Sequence, residues 1–137
     1  MGAIEKIYHR QKLVAIVMRK NTPVNVLRFF TSENQPLQVG IHHKEAGSEV
    51  GLHYHKLKGK ITISEIHEVF FVQKGKIKVT LATKRGKIIA SKFLGVNDGI
   101  LVMDIAHKVD FLRSSRVFEV KQGPYTKQSK VYINLKK

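Results

Sequence analysis

The sequence predicts an all-β protein with little or no helix. Three observations predict it: short runs in which apolar and polar residues alternate, turn signals between them roughly every ten residues, and almost no helical periodicity. Lys76-Ile77-Lys78-Val79-Thr80-Leu81 is the clearest run, with its apolar residues on one face and its polar residues on the other.

In chain order, residues 13–19, 26–30, 37–43, 50–55, 60–66 and 68–73 read as strands. Lys74-Gly75 is a hairpin signal that introduces the run at 76–81. Lys84-Arg85-Gly86-Lys87 turns the chain into 88–94, and Asn97-Asp98-Gly99 turns it into 100–103. Residues 108–112, 116–122 and 130–135 complete the set. Pro23, Pro36 and Pro124 fall in connections, where a missing N–H does little harm. About a dozen strands at this spacing suit a double-sheet jelly roll. Residues 1–25 read as an N-terminal arm or edge strand and 26–137 as the barrel.

A chain of 137 residues with 42% hydrophobic residues is enough for one real core. It has no Cys, which removes disulfides, cysteine-based zinc and iron–sulfur sites, and thiol nucleophiles. No apolar run nears the roughly 18–20 residues of a membrane span, and residues 1–20 lack the pattern of a secretory signal. A cytoplasmic protein with no membrane partner is the expectation. The formal charge is +15, with Lys outnumbering Arg by 19 to 6. Such a field attracts anions, but Arg is the usual choice for bidentate base reading, and the lysines form no block. A lysine-rich solvated surface, a phosphate-bearing ligand and a nucleic acid are the three readings, in that order.

The histidines carry the chemistry. Seven His would give a His-x-His pair by chance about 0.35 times per chain, so His53-Tyr54-His55 counts only with its context. In a strand, residues i and i+2 share a face with Cα atoms roughly 6.6–7 Å apart, so two imidazoles can converge on one metal ion. Glu68 opens a run in which Glu68, Phe70 and Val72 share a face. If that face is interior, its carboxylate needs a counter-charge or a metal. His107 follows the 100–105 strand and offers a fourth donor. Three His and one carboxylate suit Zn, Mn, Fe, Ni or Cu without choosing among them. The competing explanation has His53 and His55 as ordinary surface or partly buried histidines and Glu68 in a salt bridge to a lysine.

These residues also form a family pattern. Gly47-Ser48-Glu49-Val50-Gly51-Leu52-His53-Tyr54-His55 resembles the G-x5-H-x-H opening of the first cupin motif, and Glu68 to Gly75 its E-x6-G close. The intervening 56–67 is longer than is usual there. Gly95-Val96-Asn97-Asp98-Gly99 through His107 resembles the second motif, which in many cupins opens PGD and has a glycine before the His. Here Asn97 stands for the turn glycine, and Asn tolerates the left-handed conformation. Ile105-Ala106 stands where the small, flexible pair would be. Phe118-Glu119-Val120-Lys121-Gln122-Gly123-Pro124-Tyr125 resembles the E-V-K-x-G-P-Y ending of small cupins found among nucleotide-sugar and polysaccharide biosynthesis proteins. Leu37-Gln38-Val39-Gly40 resembles their opening. The likeness spans roughly 37–126. It implies a cupin double-stranded β-helix, with one divalent transition metal held by His53, His55, Glu68 and His107.

Other residues read more plainly. His67 should point away from the Glu68 face, as a surface or second-sheet residue. His43 is the best guess for a catalytic base, although a partly exposed strand histidine is the simpler account. Tyr125 reads as a packing cap. Lys44 and Lys56 flank the histidine segments and are expected near the barrel mouth, where they would attract a small phosphorylated ligand, whereas Lys76 and Lys78 should sit on an outer face.

The resulting expectation is a metal-binding cupin acting on a small anionic ligand such as a nucleotide-linked sugar, as an isomerase or epimerase. A non-catalytic sugar-binding or sensor cupin is the alternative, with a metal-dependent dioxygenase or a basic nucleic-acid binder behind it. Exposed edge strands, with Val69 and Phe71 opposite the Glu68 face, suggest a homodimer.

Overall fold

Alternation, continuous apolar runs and left-handed turns mark the strands of the two-sheet unit. In the computed structural model, which describes residues 4–136, the chain is all-β, and the only helical element among those residues is a 3₁₀ turn at Lys127–Ser129. No helix among them is long and apolar enough to cross a membrane. The chain divides into two compact units: residues 4–23 with 65–136, and Val24–Ser64.

The first unit holds two antiparallel sheets. Strands β1 (Ile4–His9), β2 (Lys12–Met18), β5 (Glu68–Lys74), β8 (Gly99–Val102) and β10 (Arg116–Lys121) form one, in the order β1-β2-β8-β5-β10. Strands β6 (Ile77–Ala82), β7 (Ile88–Leu94) and β9 (Ala106–Phe111) form the other, in the order β7-β6-β9. Ala15, Val17, Phe70, Val72, Ile100 and Val102 from the first sheet pack with Ile77, Val79, Leu81 and Leu94 from the second in one core cluster. The two sheets therefore face each other. They are antiparallel and not closed on themselves, an arrangement compatible with a jelly-roll sandwich.

Each strand follows from its residues. In β6, Ile77, Val79 and Leu81 are fully buried, as the alternation requires. In β2, the unbroken run from Val14 to Met18 is buried at every residue, the pattern of a strand covered on both faces. The segment expected as an arm or edge strand, 1–25, supplies β1 at the sheet edge and β2 beside it; residues 1–3 lie outside the described residues.

Two turns place the candidate residues. Gly75 adopts φ +92 between β5 and β6, and a Cβ there would collide with Ser115 Oγ and the Ser114 carbonyl. Asn97 adopts φ +70 between β7 and β8, the left-handed conformation expected of it. Its N–H donates to the Val72 carbonyl at 2.8 Å, and Asp98 Oδ2 accepts from the Gly95 N–H at 2.9 Å.

Three expected strands do not form. Residues 50–55, 60–66 and 130–135 are irregular, whereas Ile4–His9 is a strand in its own right. Unit Val24–Ser64 contains one two-stranded ribbon, β3 (Val26–Phe29) with β4 (Gly40–His43), and the rest of it is turns and extended chain.

Candidate functional site

Glu68 and His107 come together across the sandwich. Glu68 is the first residue of β5 in the five-stranded sheet, on the face that carries Phe70 and Val72 into the core. His107 is the second residue of β9 in the three-stranded sheet, opposite Leu81 of β6. Their side chains meet at 2.8 Å, His107 Nε2 to Glu68 Oε2. The Phe70 ring stands 5.8 Å from the imidazole, centroid to centroid. The Glu68 side chain is 13% exposed and that of His107 28%. The carboxylate thus has the counter-charge that burial beside apolar neighbours demands.

The surroundings favour charge on both partners. Glu68 is held below the usual carboxylate range, first by the His107 hydrogen bond and against the opposing effect of burial, with the charges of His107 and Lys121 adding to it. Burial opposes a proton on His107. The Glu68 hydrogen bond and charge, the Ile105 carbonyl and the charge of Glu119 outweigh it and raise the imidazole above its ordinary value. Nδ1 stands 3.3 Å from the Ile105 carbonyl, so both ring nitrogens face acceptors, and only the imidazolium donates to both. The residues Ile105-Ala106, in place of a glycine-containing pair, still present His107 to Glu68.

Lys121 is the third member. The β10–β5 register sets it directly across from Glu68, and its Nζ lies 3.6 Å from Glu68 Oε1. The Tyr125 ring packs against it, 5.0 Å from Nζ to the centroid. Tyr125 is 61% exposed, so it caps this lysine and not a core. Sequence reasoning missed Lys121 because pairing with Glu68 depends on strand register. The signal available was its place beside Glu119 and Tyr125 in the E-V-K-x-G-P-Y stretch.

His53 and His55 lie in the other unit, both exposed and on irregular chain, so the strand that would have aligned them is absent. Their rings nevertheless approach at 5.0 Å between centroids, nearly perpendicular. His53 Nδ1 donates to the Gly51 carbonyl at 2.7 Å, which makes Nε2 the ring's acceptor nitrogen. His43 is exposed at the end of β4, paired with Val26.

His67 differs from its expected surface or second-sheet position. It is fully buried, with Nε2 2.7 Å from Glu65 Oε1 and its backbone N–H donating to Gln122 Oε1 at 2.7 Å. Glu65 in turn pairs with Lys12, and Lys12 with Asp104.

The donor chemistry fits a borderline divalent metal in pairs. Glu68 Oε2 and His107 Nε2 stand at hydrogen-bond distance, 2.8 Å, and would part slightly to the roughly 3.3–3.6 Å that separates two ligands of a tetrahedral ion with bonds of about 2.0–2.2 Å. His53 and His55 offer two imidazole nitrogens. Among the described residues no group of three His, Asp or Glu side chains is placed to hold a metal ion. No protein-family model, curated protein or solved structure matches this chain.

Proposed function

We propose that the chain is a cupin-like, metal-binding protein that acts on a small anionic ligand, as an isomerase or epimerase of the nucleotide-linked-sugar type. The observation that carries the proposal is the Glu68–His107 pair, which joins the two facing sheets at the positions of the two cupin-like motifs. The second motif thus brings its histidine to the first motif's carboxylate, as a shared site requires. Glu68 and His107 would hold the ion in this reading, and His53 and His55 are the further donors that the cupin resemblance implies. Such an ion would supply Lewis acidity toward a carbonyl oxygen of the ligand.

The chain's own residues define what else happens there. Without an ion, Glu68 holds the imidazole of His107 through Nε2, and an ion held by the two would take the place of the proton between them. Lys121 adds positive charge beside the pair. Phe70 limits water on one side of the ring.

Solvent exchange tests this directly. Metal-loaded protein incubated in D₂O with 4-keto and 3-keto nucleotide-linked sugars should place deuterium on the carbon next to the carbonyl, read by mass spectrometry. His107→Ala should abolish the exchange. Substrates that bind but never exchange would remove the isomerase assignment and favour a non-catalytic binding protein.

A further inference from the structure

Lysine is abundant in this chain, yet Lys121 is placed unlike the other paired lysines. The ion-paired lysines Lys12, Lys84 and Lys108 have side chains that are more than half exposed, and Lys92 is committed to Glu5 at 3.0 Å. Lys121 is 24% exposed, and its acidic neighbour Glu68 stands at 3.6 Å, longer than a good hydrogen bond. That carboxylate already receives the closer contact, from His107 at 2.8 Å. One carboxylate thus lies between two cationic groups, and the ammonium keeps donor capacity for something else. The Tyr125 ring packs against it with the centroid 5.0 Å from Nζ, and that exposed side chain carries a phenolic hydroxyl.

The four lysines singled out in the sequence are placed otherwise. Lys44 and Lys56 are exposed in Val24–Ser64. Lys76 and Lys78 stack on Phe93 at 5.5 and 5.9 Å, and Lys78 alternates with the buried Ile77 and Val79, which puts it on the face away from the core.

We propose that Lys121 and Tyr125 form the anion-recognising subsite beside the Glu68–His107 pair, taking a phosphate or carboxylate group of the ligand through the ammonium and the phenolic hydroxyl. This rests on the reading of the protein as one that takes a small anionic ligand. It moves the recognising charge away from Lys44 and Lys56.

Calorimetric titration with inorganic pyrophosphate and with malonate tests the subsite and separates phosphate from carboxylate. The wild-type protein should bind one of them. Lys121→Met should weaken that binding about tenfold or more, Lys121→Arg should largely keep it, and Tyr125→Leu should cost a few-fold. Lys76→Met and Lys78→Met should leave it unchanged. If Lys121→Met does not fold, the side-chain NMR signal of Lys121 in wild-type protein decides instead, and should shift on titration. Binding that ignores Lys121, or a Lys121 signal that does not move while the probe binds, overturns the subsite alone. A wild-type protein that binds neither probe defeats the anionic-ligand reading and the subsite with it.

Discussion

The two-sheet unit and the Val24–Ser64 unit draw on similar residues and use them differently. In the first, Ile77, Val79, Leu81 and Leu94 are wholly buried in one cluster. In the second, Val50, Leu52, Tyr54 and Ile61 are exposed, and one short ribbon is its regular structure. The two-stranded ribbon also illustrates how little a hairpin stabilises without further strands. Apolar β-formers make a strand only where a neighbour completes the ladder and a facing sheet takes up the side chains. The comparison extends to the site: the sandwich holds Glu68, His107 and Lys121 at defined distances through strand register, whereas His53 and His55 owe their proximity to local chain alone.

The largest expected effect separates the units by stability. Leu81→Ala removes a buried side chain from the cluster and should cost about 2–5 kcal/mol in urea denaturation. Leu52→Ala, on a fully exposed side chain, should change stability by less than about 0.5 kcal/mol. Equal costs would break the comparison.

Backbone conformation gives a smaller contrast of opposite sign. Asn97→Ala places an ordinary residue at φ +70 in the sandwich and should cost about 1 kcal/mol, while Asn97→Gly should be nearly neutral. Val26 adopts φ +68 in Val24–Ser64, a conformation costly for a β-branched residue. Val26→Gly should therefore stabilise by up to about 1 kcal/mol, measured by thermal unfolding of the same preparations.

The smallest effect is the pH dependence of the Glu68–His107 pair in metal-free protein. Glu68 titrates below its ordinary value, so its contribution is complete above an unfolded value of about 4.3 and is lost as pH falls through the folded value. His107 titrates above its ordinary value, so its contribution is complete below about 6.5 and is lost as pH rises through the folded value. The stability difference between wild type and Glu68→Gln should therefore be greatest between about pH 4.5 and 6.5 and shrink on both sides. A difference that is flat from pH 4 to 9 would contradict the paired geometry.

Much of the sandwich was legible in the sequence. The 76–81 alternation, the Asn97 turn and the shared face of Glu68, Phe70 and Val72 depend on local spacing, and each has the expected form. The strand at 50–55 was not legible correctly, because its pattern says nothing about whether a neighbour pairs with it. His67 was misplaced for a related reason: it precedes β5, so the alternation of that strand does not govern it, and a bond to Glu65 holds it inside. Lys121 was invisible because its meeting with Glu68 depends on the β10–β5 register.

Metal content tests the central claim most directly. Protein purified without an affinity tag, loaded with Zn, Mn, Fe, Ni or Cu and freed of excess, should carry one divalent ion per chain by elemental analysis. The His53→Ala/His55→Ala and Glu68→Gln/His107→Ala double variants, each folded by amide NMR, should both lose it. Full occupancy in either double variant, or no stoichiometric ion in the wild type with any of the five metals, would contradict the account.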